Sequence, residues 1–290
     1  MKSFRLPTVR VHSWGGLGSQ LLALGVLLDL QKLYPQRNFE LVIHSSGVTR
    51  RISELDHLAE LVQINFIDDY APSAEELSKE IFCSNRVIRS SVKSFLNATK
   101  CVISKESSSF RILPWSGSIR CHYGLVGISR DSISLISNYI PRDTETSMSP
   151  VDYILGVHYR VGDLVLEKSS SVINIDFIAG LASKLVLNYS LKHVKLLILS
   201  DSPSNSETIF SLKRFEYSWQ TKETWETFGT LLTPHSVIGT NSKISLWVAL
   251  FRWGLEIPGE VVLPQSLFQQ FNRITKSSDT DNGLFKCTPY

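Results

Sequence analysis

The stretch Thr8-Val9-Arg10-Val11-His12-Ser13-Trp14-Gly15-Gly16-Leu17-Gly18-Ser19-Gln20-Leu21-Leu22 decides the fold. Thr8 to His12 alternates and carries β-branched residues, the pattern of a strand. After the glycines comes a strongly apolar run, Leu21 to Leu33, which stops before Pro35 and reads as a helix. Strand, glycine turn, helix is the arrangement that aims backbone N–H groups and a helix N-terminus at an anion. The same glycines would also serve a tight β–α turn needed for packing alone. No Gly-Lys-Ser/Thr follows, so this is not a Walker loop, and the spacing departs from GxGxxG.

Outward from this unit the alternation continues. Phe39 to His44 reads as a second strand, Ile52 to Val62 as a helix with Leu55, Leu58 and Leu61 on one face, and Ile64 to Ile67 as a short strand. Repeated strand–helix alternation predicts an α/β protein with mostly parallel sheets. Pro72 to Lys105 reads as amphipathic helix, and Ser107 to Tyr123 is aromatic and basic, suited to a sugar platform or to plain loop anchoring. A helix is expected over Ile133 to Ile140. The polar segment Pro141 to Pro150, with its paired prolines, marks a linker. It separates an N-terminal domain over 1–145 from a C-terminal domain over 146–290.

The second domain opens on Leu155-Gly156-Val157-His158-Tyr159-Arg160-Val161-Gly162-Asp163, an apolar strand that delivers His158, Arg160 and Asp163 into a turn. An arginine there can grip two oxygens of one phosphate through its planar fork. It could equally form a strand-end ion pair with Asp163. A helix over Ile175 to Tyr189 and a buried strand over Val194 to Leu199 follow, and the strand ends at Ser200-Asp201-Ser202. Ser236 to Ile238 is another short strand. Gly239-Thr240-Asn241-Ser242-Lys243-Ile244-Ser245 then leads into an apolar helix, Leu246 to Trp253. Small polar residues at such an entry hold phosphate or ribose, or simply cap the helix. Val261 to Leu267 begins a last strand or helix.

Composition narrows the function. Of 290 residues, 43% are hydrophobic and 20% charged, and the net charge is only +3. The basic residues are scattered, which argues against a nucleic-acid binder. Cys83, Cys101, Cys121 and Cys287 form no CxxC pair, and reduced thiols fit the cytoplasm. No secretory signal is read at the N-terminus. Asp279-Thr280-Asp281 is the one DxD-like segment and sits in a polar tail, so no metal site is expected.

Four segments, in order, resemble the α-1,2-fucosyltransferases. Gly15-Gly16-Leu17-Gly18-Ser19-Gln20-Leu21 is similar to the family's GGLGNQLF, and His158-Tyr159-Arg160-Val161-Gly162-Asp163 to its HxRRGD. Ser200-Asp201-Ser202 resembles an SDD-type segment, and Thr240-Asn241-Ser242-Lys243-Ile244-Ser245-Leu246-Trp247 resembles SNSTFSWW. The resemblance implies a GT-B-like fold of two Rossmann-like domains facing a cleft. It also implies an inverting, metal-independent enzyme that needs no cofactor and transfers fucose from GDP-fucose to a surface-glycan hydroxyl. The donor would bind the C-terminal domain, with the acceptor against the N-terminal one. Arg160 would bind the diphosphate and stabilise departing GDP, His158 would lie beside the nucleotide, and Asp201 would face the guanine. Asn241, Ser242 and Lys243 would hold phosphate or ribose, while Gly15, Gly16, Gly18 and Ser19 would approach from the other domain.

For a base that activates the acceptor hydroxyl, Glu167 is preferred for reach and Asp163 is second. The chain departs from the family at Ser19, where the family has asparagine, and at Val161, where it has a second arginine. Losing a charged contact is worth roughly 1.5–3 kcal/mol. Either Lys243 supplies the missing charge or the donor is another nucleotide sugar; a degenerate protein that binds without turnover is the third expectation. The expected location is the cytoplasm, with peripheral membrane contact if the acceptor is lipid-linked.

Overall fold

A computed structural model describes residues 8–44, 53–67, 80–82, 117–120, 127–141, 153–161, 173–189, 193–204, 210–275 and 284–290. The chain divides into two compact units. The first is Met1–Tyr139 with Arg273–Lys276, and the second is Ile140–Asn272 with Ser277–Tyr290. Each is α/β, and every strand pairing in both sheets is parallel. Among the described residues, no helix is long and apolar enough to cross a membrane.

In the first unit, β1 (Val9–Trp14), β2 (Phe39–His44), β3 (Gln63–Ile67), β4 (Glu80–Phe82) and β5 (Gly117–Arg120) lie in the order β3-β2-β1-β5-β4. β1 sits at the centre, and Val9, Val11, His12 and Ser13 are all buried, as in a sheet covered on both faces. Helix α1 (Leu17–Leu33) starts four residues earlier than its apolar run suggests, because Gly16 is its N-cap and Gly18 and Ser19 lie in its first turn. It is buried on nearly all sides, so it behaves as a core helix rather than an amphipathic one. Helix α2 (Arg130–Ser137) is capped by Ser129, whose hydroxyl accepts from Ser132 N–H. Asp29 on α1 accepts from Ser129 N–H at 2.8 Å and from the Ser132 hydroxyl at 2.7 Å, which fixes α2 to α1.

Two expectations are corrected here. The helix expected over Ile52 to Val62 is a single 3-10 turn, Asp56–Leu58. Leu55 and Leu58 are both buried, and a three-residue spacing satisfies a 3-10 turn as well as an α-helix. Within the expected helix of Pro72 to Lys105, the described residues 80–82 form strand β4 instead. β5 lies inside the aromatic, basic segment 107–123.

The second unit holds β6 (Tyr153–Tyr159), β7 (Val194–Ser200), β8 (Glu216–Gln220), β9 (Ser236–Gly239), β10 (Gly259–Leu263) and β11 (Phe285–Pro289). Their order is β11-β10-β9-β6-β7-β8. Helix α3 (Ile175–Asn188) lays Ile178, Ala182 and Leu185 against Leu155, Val157, Leu196 and Ile198. α4 (Thr224–Leu231), α5 (Lys243–Gly254) and α6 (Gln265–Thr275) complete the described helices. The edge strands β8 and β11 escape sequence reading because their alternation is short and polar, and Pro289 ends β11, as proline does at sheet edges.

Arg252 on α5 is fully buried. Its guanidinium donates to the carbonyls of Pro234 at 2.8 Å, Pro258 at 2.7 Å, and Leu231 and His235 at 3.3 Å. Burial pulls its pKa down to about 10, so it remains charged at neutral pH. One cation thus ties the end of α4 and the turns before β9 and β10 together. Arg252→Met should destabilise the protein by about 3–5 kcal/mol, since it strips several buried acceptors of their donor at once. Chemical denaturation would show the loss.

Candidate functional site

β6 is where the second sheet changes direction. From it the chain runs outward through β7 and β8, then returns to its other flank as β9. In open parallel sheets the crevice at the carboxyl ends of such strands is where ligands gather. His158 pairs across to Gly239 in the ladder, and the segments that leave this point are Arg160-Val161 and Thr240 to Lys243.

Thr240 holds the two strand ends together. Its N–H and its hydroxyl both donate to His158 O, at 3.1 and 2.9 Å, and the hydroxyl oxygen accepts from Arg160 N–H at 3.0 Å. Ser242 caps α5 by accepting from Ile244 N–H at 3.1 Å, and Arg160 Nη1 reaches the same oxygen at 3.5 Å. Lys243 is the first helical residue. Burial and the neighbouring Arg160 charge bring its pKa down to about 8. Two cations and a helix N-terminus therefore converge at one strand end, with half-buried Asn241 between the threonine and the cap. Such a cluster is built to receive an anion.

His158 is buried, with Nδ1 2.7 Å from Ser245 Oγ on α5. Burial above all, with Arg160 adding to it and Asp201 opposing it, lowers its pKa to about 4. It is neutral at physiological pH. Asp201, expected to face a base, also closes a turn: Oδ1 accepts from Val161 N–H at 2.9 Å and fixes the exit from β6. The structure thus brings His158, Arg160, Asn241, Ser242 and Lys243 together, with Asp201 alongside. Asp163 and Glu167 lie outside the described residues.

The glycine turn of the first unit is built differently. Gly15 has φ +89°, a value that glycine adopts without strain. Leu17 N–H, at the start of α1, donates to Glu54 Oε1 at 3.1 Å. Gln20 completes the loop, donating to Gly15 O and accepting from Glu54 N–H, both at 3.0 Å. A carboxylate thus caps one amide at the start of α1. Ser19 is buried in the first turn of α1.

No known protein-family model matches this chain, and no curated protein matches it in sequence. Solved structures of similar shape exist. Escherichia coli heptosyltransferase WaaC with ADP is 11% identical, with 97% of this chain and 93% of that one covered and a TM-score of 0.48. The family 9 glycosyl transferase of Veillonella parvula is 10% identical, covering 99% and 87%, at 0.47. POFUT1 in complex with GDP is 10% identical, covering 87% and 97%, at 0.40. These are likenesses of architecture only.

Sequence reasoning missed three groups. Glu54 lay in a segment read as ordinary helix. Thr240 and Ser245 were quoted within a motif without a role of their own. His12, within β1, and His44, at the end of β2, stack with rings 5.0 Å apart and nitrogens 2.7 Å apart. Two histidines at matching ends of consecutive predicted strands were the available signal. Thr240→Val should cost about 1–2 kcal/mol and loosen Arg160, because a buried backbone acceptor and the Arg160 amide lose one shared partner. Urea unfolding reads the first effect, and an increased side-chain exchange rate at Arg160 by NMR reads the second.

Proposed function

We propose that this protein is a glycosyltransferase whose second unit binds the diphosphate of a nucleotide sugar at the β6–β9 crevice. The observation that carries this is the convergence of Arg160, Lys243 and the capped N-terminus of α5 on one strand end. In transfer from a nucleotide sugar, the bond between the anomeric carbon and a phosphate oxygen breaks, and negative charge collects on the leaving diphosphate. Preorganised cations aimed at that charge stabilise the transition state more than the ground state. Arg160 takes two oxygens through its fork, and Lys243 acts as a point charge.

The resemblance noted in the sequence extends this to an inverting, metal-independent transfer of fucose from GDP-fucose onto a surface-glycan hydroxyl. Glu167, or Asp163 as the second choice, removes the acceptor proton, and no separate cofactor takes part. A second reading, another nucleotide-sugar donor, is favoured by the position of Val161. Its side chain packs against the apolar core of the unit, so the charge of the family's second arginine is absent there and Lys243 is the second cation near Arg160. A diphosphate gripped by a different pair of cations can carry a different sugar.

Calorimetry with GDP, ADP and UDP tests the proposal: binding of one of them is expected, and binding of none overturns it. Arg160→Ala should weaken that binding at least tenfold with the fold intact, and Arg160→Lys should recover little of it. Affinity should also track the charge of Lys243. The folded pKa lies below the ordinary lysine value, so the charged form is present below about pH 8 and is lost as pH rises through it. Nucleotide affinity should therefore hold steady from pH 6 to 7.5 and fall above 8. In Lys243→Met the binding should be weaker throughout and lack that fall.

A further inference from the structure

We propose that Ser245 is a positioning residue for His158, its hydroxyl donating to Nδ1 so that the imidazole keeps its proton on Nε2 and offers an N–H to the bound diphosphate. This rests on the nucleotide-binding reading of the crevice for its consequence, though not for its geometry. Distance alone leaves the direction of the 2.7 Å contact open, because a neutral imidazole can donate or accept at Nδ1. Hydrogen-bond satisfaction decides it. Ser245 is 1% exposed, and its hydroxyl has no other hydrogen-bond partner among the described residues. If Nδ1 carried the proton, that proton would point at Oγ and the serine hydrogen would be buried with no acceptor. A buried donor without an acceptor is the expensive outcome. With the serine donating, every hydrogen in the pair is used, and Nε2 carries the ring's proton.

The ring is neutral for the reason already given, so it has one N–H to place. Its backbone is pinned from behind by Thr240, which gives His158 O two donors. The serine is pinned as well. A Cβ built on Gly239 would lie 2.6 Å from Ser245 Cβ, so the glycine at the end of β9 lets the first turn of α5 sit against the strand. Any side chain at 239 would push Ser245 away from His158. Gly239 O also accepts from the Tyr290 hydroxyl at 2.9 Å, which holds the strand end from the β11 side. Helix, strand end and ring are thus fixed relative to one another before any ligand arrives.

Nε2 makes no hydrogen bond to a described residue and is not sealed from solvent. The electrostatic influence of both Arg160 and Asp201 on the ring places it in the same neighbourhood as those groups. An N–H there donates to a phosphate oxygen without adding a third positive charge beside Arg160 and Lys243, where burial and then the Arg160 charge already lower the lysine. A neutral donor suits that position better than another cation.

The test has two independent arms. Long-range ¹H–¹⁵N correlation spectra of the ligand-free protein report which ring nitrogen of His158 is protonated. Nε2–H with an unprotonated Nδ1 is expected, and Nδ1–H overturns the proposal whether or not any nucleotide binds. Ser245→Ala should turn that single pattern into a mixture of tautomers and, by calorimetry with GDP, reduce affinity about three- to tenfold, with a modest fall in melting temperature from the lost buried hydrogen bond and an unchanged fold. His158→Gln supplies an amide N–H close to the Nε2 position and has no tautomer to set. In that background Ser245→Ala should have no further effect on GDP affinity; an undiminished loss there would make Ser245 a packing residue and overturn the proposal. If GDP, ADP and UDP all fail to bind the unaltered protein, the functional reading falls, and the spectra still decide the role of Ser245.

Discussion

One hydroxyl governs how the second sheet ends. Beyond His158 and Gly239 the β6–β9 ladder has run out, and the two chains must part to make a crevice. Thr240 takes over the work of the ladder for one more residue, with its N–H and hydroxyl on His158 O and its oxygen under Arg160 N–H. The strands therefore separate just beyond Arg160, and its side chain leaves from a fixed backbone. Placement of that guanidinium near Ser242 and Lys243 follows from this. A flexible strand end would have to order itself against two neighbouring positive groups, and charge repulsion would drive it outward.

The chain uses nearly the same local grammar twice with opposite electrical results. In both units a central strand or its neighbour runs through glycine into a buried helix, and sequence alone gives no reason to separate the two turns. In the first, the amide at the start of α1 is satisfied by Glu54, a residue 37 positions away in sequence. In the second, the start of α5 is satisfied by its own cap, Ser242, and is flanked by Arg160 and Lys243. Helix geometry offers a partial positive charge in either case. What differs is whether the protein has already supplied the anion.

Much of the architecture was legible because it rests on local patterns. The strand–turn–helix at Val9–Leu33, the buried runs of β6 and β7, and the entry into α5 are all set by apolar periodicity and helix punctuation. The parts that were not legible depend on partners distant in sequence. Leu55 and Leu58 match a helical face, yet the chain makes only a 3-10 turn before entering β3, since that segment is shaped by the sheet it feeds. β8 and β11 are edges whose polar alternation carries little signal. Within the site, the types and order of His158, Arg160, Ser242 and Lys243 were readable, whereas the engagement of Asp201 by Val161 N–H was not. An acidic residue at a strand end looks the same in sequence whether it faces a ligand or closes a turn.

Charge economy links these observations. The chain carries a net charge of only +3, so it has no broad positive field to draw in an anion, and affinity must come from a few groups held close together. Holding cations together raises their energy, and the pKa of Lys243 is lowered by burial first and by the Arg160 charge second. The surroundings limit that repulsion in three ways. Val161 turns its side chain into the core instead of adding another arginine. His158 is kept neutral by burial. Asp201 stands near the ring, with one oxygen already committed to the backbone. On the nucleotide-binding proposal, a diphosphate at this strand end would offset the repulsion between Arg160 and Lys243. The same logic explains why the first unit can tolerate Glu54 on its helix. There the start of α1 has a carboxylate partner from within the chain, whereas the strand end of β6 carries Arg160 and Lys243.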